Sequence, residues 1–236
     1  MSADLVVRPA GRHALLVELP DAEHTGALHA ELLRRRAAGT LPPVTEIVPG
    51  ACTVLLDGVP DPAALTRQLT TWDIPATAPA DGDVVTIPVV YDGPDLADVA
   101  ALWGIPADEV AARHSSFTHR VAFCGFAPGF GYLTGLPPEL RVPRRATPRT
   151  RVPAGAVALA GPYSAVYPRA TPGGWQIIGT MPDPSGLWDP EKEQAALLSP
   201  GTRVRFAPSG PPPATLDDQS AANGTHHGEQ PRTDGR

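Results

Sequence analysis

Residues Val152 to Thr180 read VPAGAVALAGPYSAVYPRATPGGWQIIGT, and this stretch decides the fold. It holds three short apolar runs, Ala156–Ala160, Ala165–Tyr167 and Trp175–Gly179, separated by Pro- and Gly-rich turns. Such runs are too short for helices and carry strand-like punctuation. The pattern continues outward, upstream in Arg120–Cys124 and downstream in Thr202–Phe206. Many short strands divided this way predict a closed all-β barrel or sandwich. Ahead of Phe117 the signals change. Val84–Val90 (VVTIPVV) reads as a strand, and two short helices follow. One is Leu96–Leu102 with Asp95 as its cap. The other runs from Ala107 to about His114, with Pro106, Asp108 and Glu109 in its first turn.

The first 72 residues read as a separate α+β unit. His13–Leu19 (HALLVEL) is a strand, and Asp21 can cap a helix running to about Ala38, with Leu28, Leu32 and Leu33 on one face and Gly39 as its stop. Val44–Val48 and Cys52–Leu56 flank a Pro49-Gly50 turn. Asp61-Pro62 then opens a second helix, with Pro where its missing N–H costs nothing. With a closing strand, this is the ferredoxin-like split β-α-β-β-α-β pattern. Pro75–Asp83 (PATAPADGD) reads as a linker, and residues 208–236, lacking any apolar period, as a disordered tail. The expected organisation is therefore a small α+β domain over 1–78, a β-barrel domain with short helices over 84–207, and the tail.

Composition excludes several functions. The 30 Pro and 23 Gly among 236 residues stand well above the average shares of roughly 5% and 7%, which rules out a coiled coil or a helix-only bundle. Net charge is −6, against the basic surface that nucleic-acid binding needs. No run approaches the ~18 apolar residues of a membrane span, and Asp4, Arg8 and Arg12 interrupt any signal-like start, so a cytoplasmic protein is expected. Of the basic residues only Lys192 is a lysine. It follows Pro190 and Glu191 rather than a glycine-rich turn, and Glu191 and Glu193 flank it. P-loop and Schiff-base chemistry are thereby set aside. Cys52 and Cys124 form no C-x-x-C pair and read as reduced core thiols. His24 and His29 do not share a helix face, so no structural metal is expected.

Chemistry concentrates in a charge anomaly. Arg141–Arg151 (RVPRRATPRTR) carries five Arg and no acid in an acidic protein, with Pro143 and Pro148 stiffening the backbone and Pro153 just beyond. Guanidinium forks suit carboxylate and phosphate oxygens, so the run reads as an anion site, or else as a solvated loop or a surface for an acidic partner chain. Gly125–Gly131 (GFAPGFG) predicts a tight loop whose backbone approaches a ligand or another chain. It lacks dinucleotide spacing. Thr171–Gln176 (TPGGWQ) is a turn presenting an aromatic and an amide. His114, at a helix end, reads either as a structural hydrogen-bonding group or as an acid–base residue.

Together, HSSFTHRVAFCGFAPGFGYLTGLP from His114, PRRATPR from Pro143, the Val152–Thr180 stretch and LLSPGTRVRF from Leu197 resemble the family of B subunits of bacterial ATP-dependent 5-oxoprolinase. That family includes KipI-type sporulation-kinase inhibitors and proteins labelled allophanate hydrolase subunit 1, and it is similar to part of the carboxyltransferase region of urea carboxylase. The resemblance implies a cyclophilin-like barrel behind the α+β domain. It implies a heteromer with homologous C and separate A subunits. In that complex 5-oxo-L-proline (5-oxoproline) is opened to L-glutamate with ATP hydrolysis, Mg²⁺ being held by substrate phosphates, and the isolated chain is inactive. By the same likeness, His114, Arg144 and Arg145 fall on catalytic positions. Phe126, Pro128, Gly129, Phe130, Arg149, Tyr167, Gly173, Gly174, Trp175 and Gln176 fall on substrate- or nucleotide-binding positions.

The sequence departs from the family run at Gly131, where Pro is usual, at Tyr163-Ser164-Ala165, where Gln-Thr-Gly is usual, and at Gly179-Thr180. The second departure is expected to remove an amide and a flexible glycine from a cleft wall. Two other readings stay open, a histidine-kinase inhibitor acting as a binding module and a part of a biotin-dependent urea-type carboxyltransferase.

Overall fold

The computed structural model describes residues 5–74 and 84–210; the expected linker over 75–83 and the tail beyond 210 lie outside the described residues. In the N-terminal unit, β1 (Val6–Pro9) and β2 (Ala14–Glu18) precede α1 (Ala22–Ala37). Then come β3 (Glu46–Pro49), β4 (Thr53–Asp57) and α2 (Pro62–Leu69). The strands form one antiparallel sheet in the order β1-β2-β4-β3. Both helix starts follow from their caps: Asp21 accepts the His24 amide and Asp61 the Ala64 amide, each at 2.9 Å. Leu28 and Leu32 of α1 and Leu65 and Leu69 of α2 pack with Val17, Val54 and Leu56 of the sheet in one buried cluster. Glu31, also turned inward, is ion-paired with Arg34 and Arg35; chiefly through the Arg34 hydrogen bonds its carboxyl is held down to about 2.

Two expectations need correction here. No strand follows α2 through residue 74; the sheet's fourth place is held by β1, ahead of the first expected strand. β1 is an edge strand with Val6 half exposed and only Val7 packed, partly buried, on the core, too little to show as an alternating pattern. Nor are both cysteines core thiols, since Cys52 is exposed in the β3–β4 turn and Cys124 is only half buried.

The second unit is a nearly closed β barrel with few helices. After β5 (Val84–Val89) come α3 (Leu96–Trp103) and α4 (Glu109–Ser115), then β6 (His119–Cys124), β7 (Gly131–Thr134), β8 (Arg149–Val152) and β9 (Ala156–Ala160). The chain continues through β10 (Tyr163–Val166), β11 (Thr171–Gly173), β12 (Gln176–Thr180) and β13 (Arg203–Pro208). Seven strands form a sheet in the order β12-β9-β10-β7-β6-β13-β5, antiparallel except for the β13–β5 pair. Its two ends meet at the residue after β5. Val90 and Thr180 exchange backbone hydrogen bonds of 2.9 and 2.7 Å, which join β5 to β12 and all but close the ring. β8 and β11 form a separate two-stranded ribbon beside it. Ile87, Val99, Leu133, Leu159, Ile178 and Phe206 fill the interior, with α3 and α4 plugging one side. Among the described residues, no helix is long and apolar enough to cross a membrane.

Two imidazoles sit inside this core. His114 and His119 have no exposed surface, their ring centroids are 5.0 Å apart, and both pack on Phe206. Burial pushes His114 well below its ordinary 6.5 and His119 down to about 4. Both are therefore neutral at pH 7. Unfolded histidines take protons near pH 6.5 that the folded rings refuse until much lower pH, so stability falls as pH drops through that window. Unfolding free energy is expected to fall by about 2 kcal/mol for each of these histidines between pH 7 and pH 5. Urea titrations at the two pH values measure this, and a flat profile contradicts it.

Candidate functional site

The Arg-rich run is anchored by a carboxylate from elsewhere in the chain. Asp95, only 1% exposed, receives Arg145 Nη1 at 2.6 Å, and Arg149 Nη1 and Nη2 at 2.8 and 2.7 Å. The Ile177 amide donates to the same carboxylate at 2.7 Å, and the Asp95 amide returns a hydrogen bond to the Ile177 carbonyl at 3.0 Å. Burial alone would raise the Asp95 carboxyl. The Arg149 hydrogen bonds, the Ile177 amide and the two guanidinium charges outweigh it and hold the carboxyl below its ordinary value. The sequence reading assigned Asp95 as the cap of α3, but its side chain makes no cap hydrogen bond. It joins the start of α3, the Arg run and β12 instead. Gly93 permits this approach, because a Cβ there would collide with the Ile177 carbonyl.

The consequence for the expected site is a correction. Arg145 and Arg149 are committed to Asp95, and the Arg145 amide also donates to the Gly174 carbonyl at 2.8 Å. Arg144 differs. Among the described residues it makes no ion pair or hydrogen bond, and it is exposed at the edge of a pocket of about 140 Å³. Phe126, Phe130, Tyr132 and Tyr167 line this pocket together with the Pro172–Trp175 turn. The structure thus brings together Phe126, Phe130, Arg144, Tyr167, Gly173, Gly174 and Trp175 from the expected set. Tyr132 and Pro172, which the reading passed over, join them.

Phe130 is the hub. Only 1% exposed, it meets Tyr132, Tyr167 and Trp175 edge-on at 5.0, 5.2 and 5.7 Å between centroids. Edge-to-face pairs of this kind contribute about 0.5–1.5 kcal/mol each beyond burial, so the wall is rigid. Phe126 is its opposite. It is 58% exposed, and its φ of 67° is a left-handed conformation costly to a residue with a side chain. The Gly125–Gly131 loop imposes it through the Ala127 amide to the Gly125 carbonyl (2.7 Å) and the Phe130 amide to the Ala127 carbonyl (3.0 Å). Gly129, at φ 79°, lets this loop lie on Leu187 and Trp188, where a Cβ would come within 2.9 Å of the Leu187 carbonyl. The loop therefore holds an apolar ring at the pocket mouth against its own backbone preference.

The remaining expected residues lie elsewhere. His114 is in the barrel core, hydrogen-bonded to the Tyr91 hydroxyl (2.8 Å) and the Ser164 hydroxyl (3.2 Å), with no surface for a substrate to reach. Gln176 points into the wall, donating to the Pro143 carbonyl at 3.3 Å. Pro128 and Gly129 shape the loop without lining the pocket. The Tyr163-Ser164-Ala165 departure also changes meaning. Ser164 and Ala165 are fully buried, so neither belongs to a cleft wall, while Tyr163 packs edge-on to Tyr132 at 5.6 Å behind the pocket. Gly179-Thr180 lies at the barrel seam.

These assignments separate neighbouring arginines by role. Arg149→Ala is expected to lower unfolding free energy by about 3 kcal/mol, because it strips a buried carboxylate of its bidentate partner. Arg144→Ala should stay within about 0.5 kcal/mol, as an exposed unpaired side chain does. Denaturant titration of the two variants checks this, and equal losses would contradict the assignment.

Residues 5–198 match the family described as carboxyltransferase domain, subdomain C and D. The chain is 45% identical over 175 residues to the 5-oxoprolinase B subunit of Escherichia coli O157:H7, covering 71% of this chain and 79% of that protein. It is 38% identical over 173 residues to the protein of the same name from Haemophilus influenzae, covering 71% of this chain and 80% of the relative. The crystal structure of TTHA0988 superposes with a TM-score of 0.67 at 34% identity, covering 89% of this chain but only 42% of that longer one. The aromatic pocket and the anchored Arg run are thus features of a chain that belongs to the carboxyltransferase-domain family, subdomains C and D, and is a relative of the bacterial 5-oxoprolinase B subunits.

Proposed function

We propose that this chain is the B subunit of an ATP-dependent 5-oxoprolinase, acting with homologous C and separate A subunits to open 5-oxo-L-proline to L-glutamate. The observation that carries the reading is the pocket built from the shared motifs, with aromatic walls and one free guanidinium at its edge. The relatives' name supports it. The barrel is read as cyclophilin-like on the same grounds, and this likeness of fold confers no prolyl isomerase activity.

The pocket suits one small ring bearing a carboxylate. Arg144 offers a planar fork to the carboxylate of 5-oxoproline, and the faces and edges of Phe130, Tyr132 and Trp175 take the ring and exclude water. Burial pushes the Tyr167 hydroxyl up to about 12, so it stays protonated and serves as a hydrogen-bond donor rather than a base. Phe126 at the mouth is placed to be covered by a partner chain.

ATP is too large for this pocket alone. Small-molecule sites usually run to about 300–1,000 Å³, whereas this pocket has about 140 Å³ and one uncommitted arginine. Among the described residues no group of three or more His, Cys, Asp or Glu gathers that could hold a metal ion. In the proposed reading nucleotide, with Mg²⁺ carried on its phosphates, binds outside this pocket, on the other subunits or at a site shared with them. In the complex ATP supplies the driving force for opening the lactam. This chain's share is to bind and orient the cyclic amide.

In the complex reconstituted from all three components, Arg144→Ala is expected to lower kcat/KM for 5-oxoproline about 10- to 100-fold, the value of a hydrogen bond to a charged group. The loss should fall mainly on KM, and Arg144→Lys should restore only part of it. ATP-dependent glutamate formation measures this. An unchanged kcat/KM for 5-oxoproline in Arg144→Ala contradicts the reading.

A further inference from the structure

A larger groove lies away from the aromatic pocket and shares no lining residue with it. It has a volume of about 460 Å³ and runs between α1 and the barrel wall. Its helix side presents Ala22, Gly26, Ala30 and Leu33, and small residues on successive turns leave space where a helix would otherwise close on the sheet. The volume lies within the range of small-molecule sites, about 300–1,000 Å³.

His29 is the unexplained group. Its residue is only 8% exposed and lines the groove, yet it makes no hydrogen bond among the described residues. Burial, and then the Arg36 charge, push its imidazole below the ordinary value, so at neutral pH the ring offers one donor and one acceptor, and its nitrogens open on the groove rather than being buried. A ligand in the groove can therefore meet the ring directly. On the facing wall, Arg120 of β6 sits opposite Arg203 of β13 in the ladder. Arg120 Nη1 donates to the Gly201 carbonyl at 3.1 Å, which also lines the groove. Arg120 thus brings a guanidinium to that wall, and Arg203, which does not line the groove, is near enough to lower its pKa further. The acid on the groove's lining, Glu23, is exposed at the helix start.

We propose that this groove is a second binding site, taking a small organic carboxylate with an apolar body. Arg120 and His29 recognise the head group, and Ala30, Leu33 and Ala122 take the body. The site stands independently of the 5-oxoproline reading, because none of its residues serves that pocket.

Calorimetric titration of the full chain with naphthalene-2-carboxylate tests it, with naphthalen-2-ylmethanol as the uncharged counterpart. The acid is expected to bind saturably at one site and to shift the His29 ring resonances, identified by their loss in His29→Leu. The alcohol should bind at least about tenfold more weakly, as should the acid to His29→Leu. Ala30→Leu and Ala122→Leu fill the groove from opposite walls, and each should weaken the acid at least about tenfold. With two filling variants, a folding defect in one leaves the other to decide. Absence of saturable binding, equal affinity for the alcohol, insensitivity to the folded filling variants, or binding that leaves the His29 ring unmoved would each overturn the proposal.

Discussion

One carboxylate holds the candidate site together. Asp95 lies at the start of α3, far along the chain from Arg145, Arg149 and Ile177, and its two oxygens accept from all three. Each partner alone would be costly to bury; together they leave the carboxylate saturated and ionised. Such a buried cluster is weak evidence for net stability, since apolar side chains in place of its three charged ones could fill the same space. What it provides is register. It fixes the Arg-rich segment against β12, so that the Arg145 amide meets the Gly174 carbonyl and the Pro172–Trp175 turn sits beside Arg144. The separation of roles among three near-adjacent arginines follows from this single tie.

The pocket then depends on two opposite uses of aromatic residues. Phe130, Tyr167 and Trp175 are buried, with Phe130 edge-on to each of the other two, which gives a rigid wall. Phe126 is exposed and conformationally strained, held outward by a loop whose own hydrogen bonds leave it no easier conformation. A rigid wall, a guanidinium unpaired among the described residues and a presented apolar ring are what the proposed reading needs from one face of a site completed by a partner chain. The modest volume agrees with that reading, as does the name of the relatives, which calls them subunits.

The barrel was legible where burial imposes pattern. Ala156–Ala160 is buried at all five positions and reads as an unbroken apolar run, and β12 and β13 were found within one or two residues of their ends. β7, β8 and β11 were not found. GYLT follows a glycine-rich loop, RTRV is polar because Arg149 turns to Asp95 while Thr150 and Arg151 are exposed, and TPG is too short to carry a period. The aromatic and glycine motifs singled out residues that do line one pocket. The role of Asp95 was not legible, because an Asp before a helix looks the same whether it caps that helix or crosses the fold. Five arginines without a local acid were the available signal that a carboxylate must arrive from elsewhere. His114 misled for a related reason, since sequence position at a helix end does not show which way the ring turns.

The most direct test is a double-mutant cycle on Asp95→Ala and Arg149→Ala, with unfolding free energies from urea titration of both single variants and the double variant. A shared buried tie requires the losses to be strongly non-additive, with a coupling of about 2 kcal/mol or more. Additive losses, with coupling under about 0.5 kcal/mol, would show that the two side chains act independently and that the Arg run is positioned by something other than Asp95.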